Sequence, residues 1–172
     1  CWNLWIFMKP GKPADSSKRL KLTDVEDTRF LHCNIKTLNL LVNVMAAEKA
    51  ESMGCGECVF HRGDVVTECA HSNVSIIKDG IFKTHPTDHY ILPGITRMHI
   101  IQICKDNGIP VDETPFTMAD LMDADEIIVS SSTKFCSPAC EMNGTPIGGK
   151  APELVKLIQE KYMEKFENET AN

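Results

Sequence analysis

The spacing of hydrophobic residues predicts helices and short strands along most of the chain. After an apolar, strand-like segment at 28–35, hydrophobic residues recur at i, i+3, i+4 and i+7, which places their side chains on one face of an α-helix. This apolar face consists of Leu38, Leu41, Val42 and Met45. Gly54 stands where the helix should end, because glycine readily adopts the left-handed conformation of a helix C-cap.

Turn-forming residue pairs separate several of the shorter apolar segments. These pairs are Gly63-Asp64, Asp79-Gly80 and Asn143-Gly144. Asp-Gly and Asn-Gly pairs favour the tight turns of β-hairpins, in which both central residues adopt a positive φ. Each pair is therefore expected to join two antiparallel strands.

The rest of the pattern alternates helices with strands. Helices are expected to begin at Gly94, at the Thr117–Asp120 capping box and at Pro152, and strands are expected at 111–116 and 126–131. Such an alternation, interrupted by hairpins, is typical of a mixed sheet with helices packed on it. The sequence therefore predicts an α/β or α+β fold.

Composition and charge restrict the classes of function. The 172 residues, of which 42% are hydrophobic and 24% charged, are ordinary for one globular domain. The formal net charge of −6 argues against a nucleic-acid partner, and no apolar run approaches the length of a membrane span. Because the N-terminus lacks the features of a signal peptide, we expect a cytoplasmic protein whose cysteines are mostly buried, reduced thiols.

Four segments carry side chains suited to catalysis or binding. Lys36 has apolar neighbours that would desolvate its amine and favour imine formation, although it could be an ordinary surface lysine. Glu68 could bind a cationic ring nitrogen or be a solvated hairpin end. The helix start at 94–96 offers N–H groups and a dipole that favour phosphate, yet many helix starts bind nothing. The hydroxyls at 130–133 could line an anion pocket or form a polar loop.

A cysteine motif suggests a different class of function. Cys55-Gly-Glu-Cys58 has the spacing of half a zinc site, and nearby histidines such as His61 could supply further ligands. A second pair with the same spacing is missing from the sequence, because Cys136 and Cys140 lie one residue too far apart. The alternative to an enzyme is therefore a zinc-binding interaction module or another non-catalytic fragment.

The order of the candidate segments is more informative than any one of them. Together they resemble the fold-type IV pyridoxal-phosphate enzymes, the class IV aminotransferase family, and within it most closely the D-amino acid transaminases. The similar segments, in order, are 26–41 around Lys36, 67–74 around Glu68, 78–80, 84–86, 91–97 and 131–133. The similarity extends from about Val25 to the final helix.

The resemblance implies a role for each candidate residue. Lys36 would form the Schiff base (internal aldimine) with pyridoxal 5′-phosphate, and Glu68 would pair with the protonated ring nitrogen. The other cofactor-binding residues would be Leu92 against the ring, Ile95 and Thr96 at the phosphate, and Ser131 and Ser132 near the phosphate or the substrate. It implies no metal ligand.

The resemblance also implies a domain organisation. Family members carry an N-terminal domain that nothing in this sequence matches. Residues 1–24, polar and rich in Lys, Pro and Ser from residue 9 onward, are therefore expected to be the remnant of an interdomain linker. Residues 25–172 are expected to be the C-terminal, cofactor-binding domain, with a mixed, partly barrel-like sheet and packed helices.

The implied activity is the transfer of an amino group between a D-amino acid such as D-alanine and a 2-oxo acid, carried out by a homodimer. Branched-chain amino acid transaminase and aminodeoxychorismate lyase are alternatives with the same fold. In all three, the N-terminal domain supplies part of the active site, so the present chain is expected to bind the cofactor weakly and to turn over little.

Overall fold

Nine strands and four helices make up the part of the chain that the structure, a computed structural model, describes: residues 6–8, 15 and 17–170. The strands are β1 (Leu20–Glu26), β2 (Glu57–Arg62), β3 (Val65–Cys69), β4 (Asn73–Lys78), β5 (Ile81–Thr84), β6 (Val111–Asp112), β7 (Glu126–Ser131), β8 (Phe135–Met142) and β9 (Thr145–Pro146). The helices are α1 (Leu41–Ser52), α2 (Ile95–Asp106), α3 (Met118–Asp123) and α4 (Pro152–Thr170). None of the helices described combines the length and apolar character needed to cross a membrane.

All of these strands join one curled, mixed sheet in the order β3-β2-β1-β8-β7-β4-β5-β6, with β9 paired to β8. Strand β1 is parallel to both of its neighbours, β2 and β8, and β5 is parallel to β6. The remaining pairs are antiparallel. The mixed, partly barrel-like sheet expected from the sequence is therefore confirmed.

Three apolar clusters hold the helices against the sheet. One joins sheet residues such as Leu22 and Ile127 to Leu121 of α3. A second joins β4, β5 and β7 to α2 and α4, with Ile100 and Ile158 fully buried. The third lies under α1, whose small alanines pack near Phe60 of β2. Helices α2 and α4 therefore pack together against one region of the sheet, and α1 packs elsewhere.

The three turns predicted from sequence are confirmed by the backbone. Asp79 and Gly80 have φ of 51° and 77°, and Asn143 and Gly144 have φ of 49° and 80°. Gly63 has φ of 58° and begins the turn between β2 and β3. Because these turns depend on local residue chemistry, they could be found without knowledge of the sheet.

The apolar face predicted for α1 is wrong. Leu38 is 96% exposed and precedes the helix, while Leu41 and Met45 are 69% and 64% exposed. The buried face consists instead of Asn43, Ala46 and Ala50. Periodicity correctly indicated a helix, but the larger apolar residues face away from the sheet.

Other expected boundaries also differ. The segment 28–35 contains no strand, and 111–116 contributes only two strand residues. Strand β1 begins at Leu20, inside the stretch assigned to a linker, because it pairs with β2 and β8. The strand expected before the Asn143-Gly144 turn is β8, but its start at Phe135 was not predicted. The linker expected at 1–24 otherwise falls mostly on residues outside those described.

Candidate functional site

A single cleft of about 910 Å³ brings together all seven of the predicted site residues. It is lined by the segment before α1, the β3–β4 loop, the start of α2 and the β7–β8 turn. The predicted residues on its walls are Lys36, Glu68, Leu92, Ile95, Thr96, Ser131 and Ser132. Residues far apart in the sequence therefore meet at one site, as the resemblance requires.

Lys36 lies on the irregular segment that precedes α1, and its side chain is exposed. Its apolar neighbours do not cover it, since Ile35 is 56% exposed and Leu38 is 96% exposed. The expectation that these neighbours desolvate the amine is therefore wrong for the described residues. Lys36 is therefore a solvent-exposed residue that lines the cleft.

Glu68 is the residue whose surroundings are best defined. It lies on β3 with only 5% of its surface exposed, so it is not a solvated hairpin end. Its Oε1 accepts a bond from Arg29 at 2.6 Å, and its Oε2 accepts from the Leu92 backbone N–H at 2.9 Å. Burial raises the pKa of Glu68 to about 7, and the charge and bonds of Arg29 only partly oppose this effect. The carboxylate is thus held rigidly in a poorly solvated position.

Arg29 is a buried site residue that the sequence analysis missed. Its guanidinium donates two bonds to Asp27, each 2.9 Å long, besides the bond to Glu68. It also lies 4.4 Å from the centre of the Phe60 ring. Burial alone would raise the pKa of Asp27, but the bonds from Arg29 outweigh burial and lower it. An Asp-x-Arg pair shortly before the lysine is the sequence signal that could have revealed this network.

The N-terminus of α2 forms another wall of the cleft. Gly94 is the N-cap, and no side chain caps the helix there. Thr96 is buried and its hydroxyl lies 3.4 Å from the hydroxyl of Tyr162, whereas Ile95 is exposed. Uncapped N–H groups and the helix dipole make this end suited to an anion such as phosphate.

The β7–β8 turn lines the remaining part of the cleft, and hydrogen bonds of Lys134 hold it in place. Ser131 accepts a bond from the Lys134 backbone N–H at 3.1 Å, which closes the turn. The Lys134 amine donates to the buried carboxylate of Glu57 at 2.7 Å. Ser72, on the neighbouring β3–β4 loop, donates to the same carboxylate at 2.8 Å. Glu57 therefore ties together two of the segments that line the cleft.

The two cysteines of the Cys55-Gly-Glu-Cys58 motif differ in their exposure to solvent. Cys58 is fully buried, and burial raises the pKa of its thiol to about 12, whereas Cys55 is partly exposed. All seven cysteines among the described residues are unpaired thiols, and five of them are buried. No group of three or more His, Cys, Asp or Glu side chains in the described ranges could hold a metal ion. The zinc hypothesis consequently lacks a ligand set in this part of the chain.

Comparison with known proteins decides between these classes. The sequence model of the family described as amino-transferase class IV matches residues 3–142. The chain belongs to this family. D-alanine aminotransferase from Listeria monocytogenes serotype 4b is 49% identical over 136 residues, covering 78% of this chain and 47% of the relative. This class IV aminotransferase chain therefore spans about half the length of the curated relatives it matches.

Solved structures agree with the family assignment. A fold IV-transaminase from Curtobacterium pusillum superposes with a TM-score of 0.82 at 18% identity, covering 94% of this chain and 57% of its own, which shows the shared fold. The branched-chain aminotransferase from the archaeon Thermoproteus uzoniensis, solved with norvaline, has a TM-score of 0.75 at 26% identity, covering 90% and 53%. The individual residue roles implied by the resemblance stay predictions.

Proposed function

We propose that this chain is the cofactor-bearing part of a pyridoxal-phosphate-dependent aminotransferase that moves an amino group between a D-amino acid, such as D-alanine, and a 2-oxo acid. The observation that carries the proposal is the convergence of Lys36, the buried Glu68 and the uncapped start of α2 on one cleft. The similarity to D-alanine aminotransferases supports the choice of substrate class.

The residues of the cleft fit the cofactor chemically. Glu68 offers a buried carboxylate to a protonated ring nitrogen, and the α2 N-terminus, uncapped by any side chain, offers N–H groups to a phosphate. When bound, pyridoxal phosphate supplies an electron sink for charge at the substrate α-carbon. Lys36 would hold the cofactor through Nζ, and the same amine would move a proton at the substrate α-carbon.

The other predicted residues shape the binding site. Leu92 would contact the cofactor ring, and its backbone N–H donates to Glu68 Oε2 at 2.9 Å. Ile95 and Thr96 would offer their N–H groups to the phosphate, since they lie in the first turn of α2. Ser131 and Ser132 also line the cleft, where their hydroxyls would bind phosphate or substrate.

Two features of the cleft support the proposal that a part of the enzyme outside the described residues contributes to the site. Apolar side chains around Lys36 are exposed, with Leu38 at 96%. The Oδ1 atom of Asn34, which also lines the cleft, is buried without a hydrogen-bond partner in the described part of the chain. We therefore include in the proposal a further domain, which the greater length of the relatives supports, and a homodimeric enzyme. The 172-residue chain alone is then expected to bind the cofactor weakly and to turn over little.

The test is the absorbance spectrum of the chain and of the full-length gene product with added pyridoxal phosphate. Lys36→Ala should abolish the long-wavelength band, because no other amine is proposed to hold the cofactor. Lys49→Ala is the matched control, since Lys49 is an exposed lysine of α1 outside the cleft and bonds to Asp24. A band that survives in Lys36→Ala would overturn the assignment, whereas Lys49→Ala should retain the band.

Substrate preference requires the full-length gene product. D-alanine should react with a 2-oxo acid faster than L-valine does, and aminodeoxychorismate should release no 4-aminobenzoate. A preference for L-valine would favour the branched-chain alternative, and release of 4-aminobenzoate would favour the lyase. One equivalent of bound zinc with no absorbance band would instead favour the interaction module.

A further inference from the structure

Asn73 connects two walls of the cleft through one buried side chain. It is the first residue of β4 and is only 5% exposed. Its amide Nδ2 donates to Glu68 Oε2 at 3.1 Å and to the Leu92 carbonyl at 2.9 Å. A single amide group therefore contacts both the buried carboxylate and the segment that leads into α2.

The same side chain touches the start of α2. A Cβ atom added to Gly94 would overlap with Asn73 Oδ1, so only glycine allows the helix to begin this close to Asn73. Gly94 also donates its N–H to the Leu92 carbonyl at 2.8 Å, the carbonyl that Asn73 binds. Asn73 and Gly94 thus form a tight joint between Glu68 and the helix N-terminus.

The position of Asn73 is fixed because its backbone belongs to a strand of the sheet. Strand β4 pairs with β7, where Asn73 lies opposite Ser130, and with β5 on its other side. The segments that it contacts, on the approach to α2 and at the end of β3, are irregular or terminal. Their relative position therefore depends on bonds to a residue that is itself held by the sheet.

We propose that Asn73 is a positioning residue that sets the distance between the ring-binding and the phosphate-binding groups of the cleft. The inference rests on the proposed function, in which Glu68 binds the ring nitrogen and the start of α2 binds the phosphate. A ligand with both groups gains the full benefit of each contact only when their spacing is correct. Loss of the joint should therefore weaken the combined ligand more than a ligand that engages one group alone.

The experiment compares pyridoxine with pyridoxine 5′-phosphate, which carry no aldehyde and so cannot bond to Lys36. Dissociation constants are measured by ¹H–¹⁵N NMR titration of the 172-residue chain, which reports weak binding, and the signals of Ile95 and Thr96 report the helix start. The dissociation constant of pyridoxine divided by that of pyridoxine 5′-phosphate measures the gain in affinity that the phosphate group provides. In Asn73→Ala, this ratio should fall by about tenfold or more. The constant for pyridoxine should change little, because Glu68 keeps its bonds to Arg29 and Leu92.

A second variant and a control separate positioning from stability. Gly94→Ala perturbs the same joint from the helix side, so it should reduce the ratio in the same way even if Asn73→Ala does not fold. Asn107→Ala removes one side-chain bond, Nδ2 to the Ile103 carbonyl at 2.8 Å, at the far end of α2 and should leave the ratio unchanged.

The possible outcomes discriminate between the two proposals. An unchanged ratio in both joint variants, or equal weakening of both ligands, would overturn the role of Asn73 alone. If the unmodified chain binds pyridoxine 5′-phosphate no more tightly than pyridoxine, or if the NMR signals of Ile95 and Thr96 do not shift when the phosphate compound is added, the proposed function itself fails. A reduced ratio confined to the joint variants would establish the spacing role.

Discussion

Replacing Glu68 with glutamine tests whether burial dominates the energetics of the site. The carboxylate is 5% exposed, and its nearest opposite charge, Arg29, lies 2.6 Å away. Burial disfavours the ionised form, whereas Arg29 favours it, and the balance raises the pKa to about 7. The glutamine side chain has nearly the same shape but cannot ionise, so the variant isolates the effect of the charge.

The size and the sign of the effect follow from that pKa. On folding, the pKa of Glu68 rises from an ordinary value of 4.5 to about 7. The folded state therefore holds its proton more tightly, and stability present below pH 4.5 is lost as the pH rises through 7. A tenfold change in proton affinity is worth about 1.4 kcal/mol, so the loss should be about 3 kcal/mol.

Urea denaturation at intervals from about pH 4 to pH 8 measures this loss. The free energy of unfolding of the unmodified chain, minus that of Glu68→Gln, should decrease by about 3 kcal/mol across this range. Glu48→Gln makes the same chemical change at an exposed position of α1 and serves as the control variant. A difference for Glu68→Gln that is flat, or that increases with pH, would show that Arg29 outweighs burial and would refute the reasoning.

Two further predictions concern stability. Arg29→Met should lower the free energy of unfolding by about 3–5 kcal/mol, because it leaves two buried carboxylates without their shared cation; a loss below about 1 kcal/mol in urea denaturation at pH 7 would contradict this. Thr117→Ala should cost about 1 kcal/mol, since its hydroxyl accepts the Asp120 N–H at 3.1 Å and caps α3. Thermal unfolding measures the second effect, and Thr117→Ser, which keeps the hydroxyl, should retain most of the stability.

The elements that could be predicted from sequence are those determined by neighbouring residues. The turns at Asp79-Gly80 and Asn143-Gly144 need positive φ, which the residue types indicate directly. The capping box of α3 is equally local, because Thr117 and Asp120 exchange bonds within a single turn. The start of α2 is also marked by a local residue, the N-cap Gly94. The close approach of Asn73 to Gly94 could not be inferred from the helix sequence itself.

Features that depend on distant partners could not be predicted in the same way. Strand β1 is formed by pairing with β8, more than a hundred residues later, and its own sequence contains polar residues such as Lys21 and Asp24. Strand β8 contains Pro138, which normally argues against a paired strand. The contact between Arg29 and Glu68 spans 39 residues and leaves no periodic signal. For these features, the family resemblance was more informative than the local pattern.

The candidate site contains residues that could be predicted from the sequence and residues that could not. The resemblance placed seven residues on one cleft, and the structure brings them together. It did not identify the roles of Arg29, Asn73 or Glu57. Arg29 and Asn73 line the cleft and donate buried bonds to Glu68. Glu57 accepts bonds from Ser72 and Lys134 on two of the segments that form the cleft. Residues that hold a site in place are found only when the geometry shows which bonds they make.

Lys36 is where local sequence reasoning and geometry disagree most. The apolar neighbours were expected to desolvate the amine, yet Ile35 and Leu38 are 56% and 96% exposed, as is much of the predicted apolar face of α1. An amine that exchanges protons with a bound substrate works best where water is excluded. Under the proposed function, the exposed side chains near Lys36 are therefore the surface that the rest of the enzyme must cover. The periodicity indicated the helix correctly, but the face it predicted for α1 is exposed, and the buried face is formed by Asn43, Ala46 and Ala50.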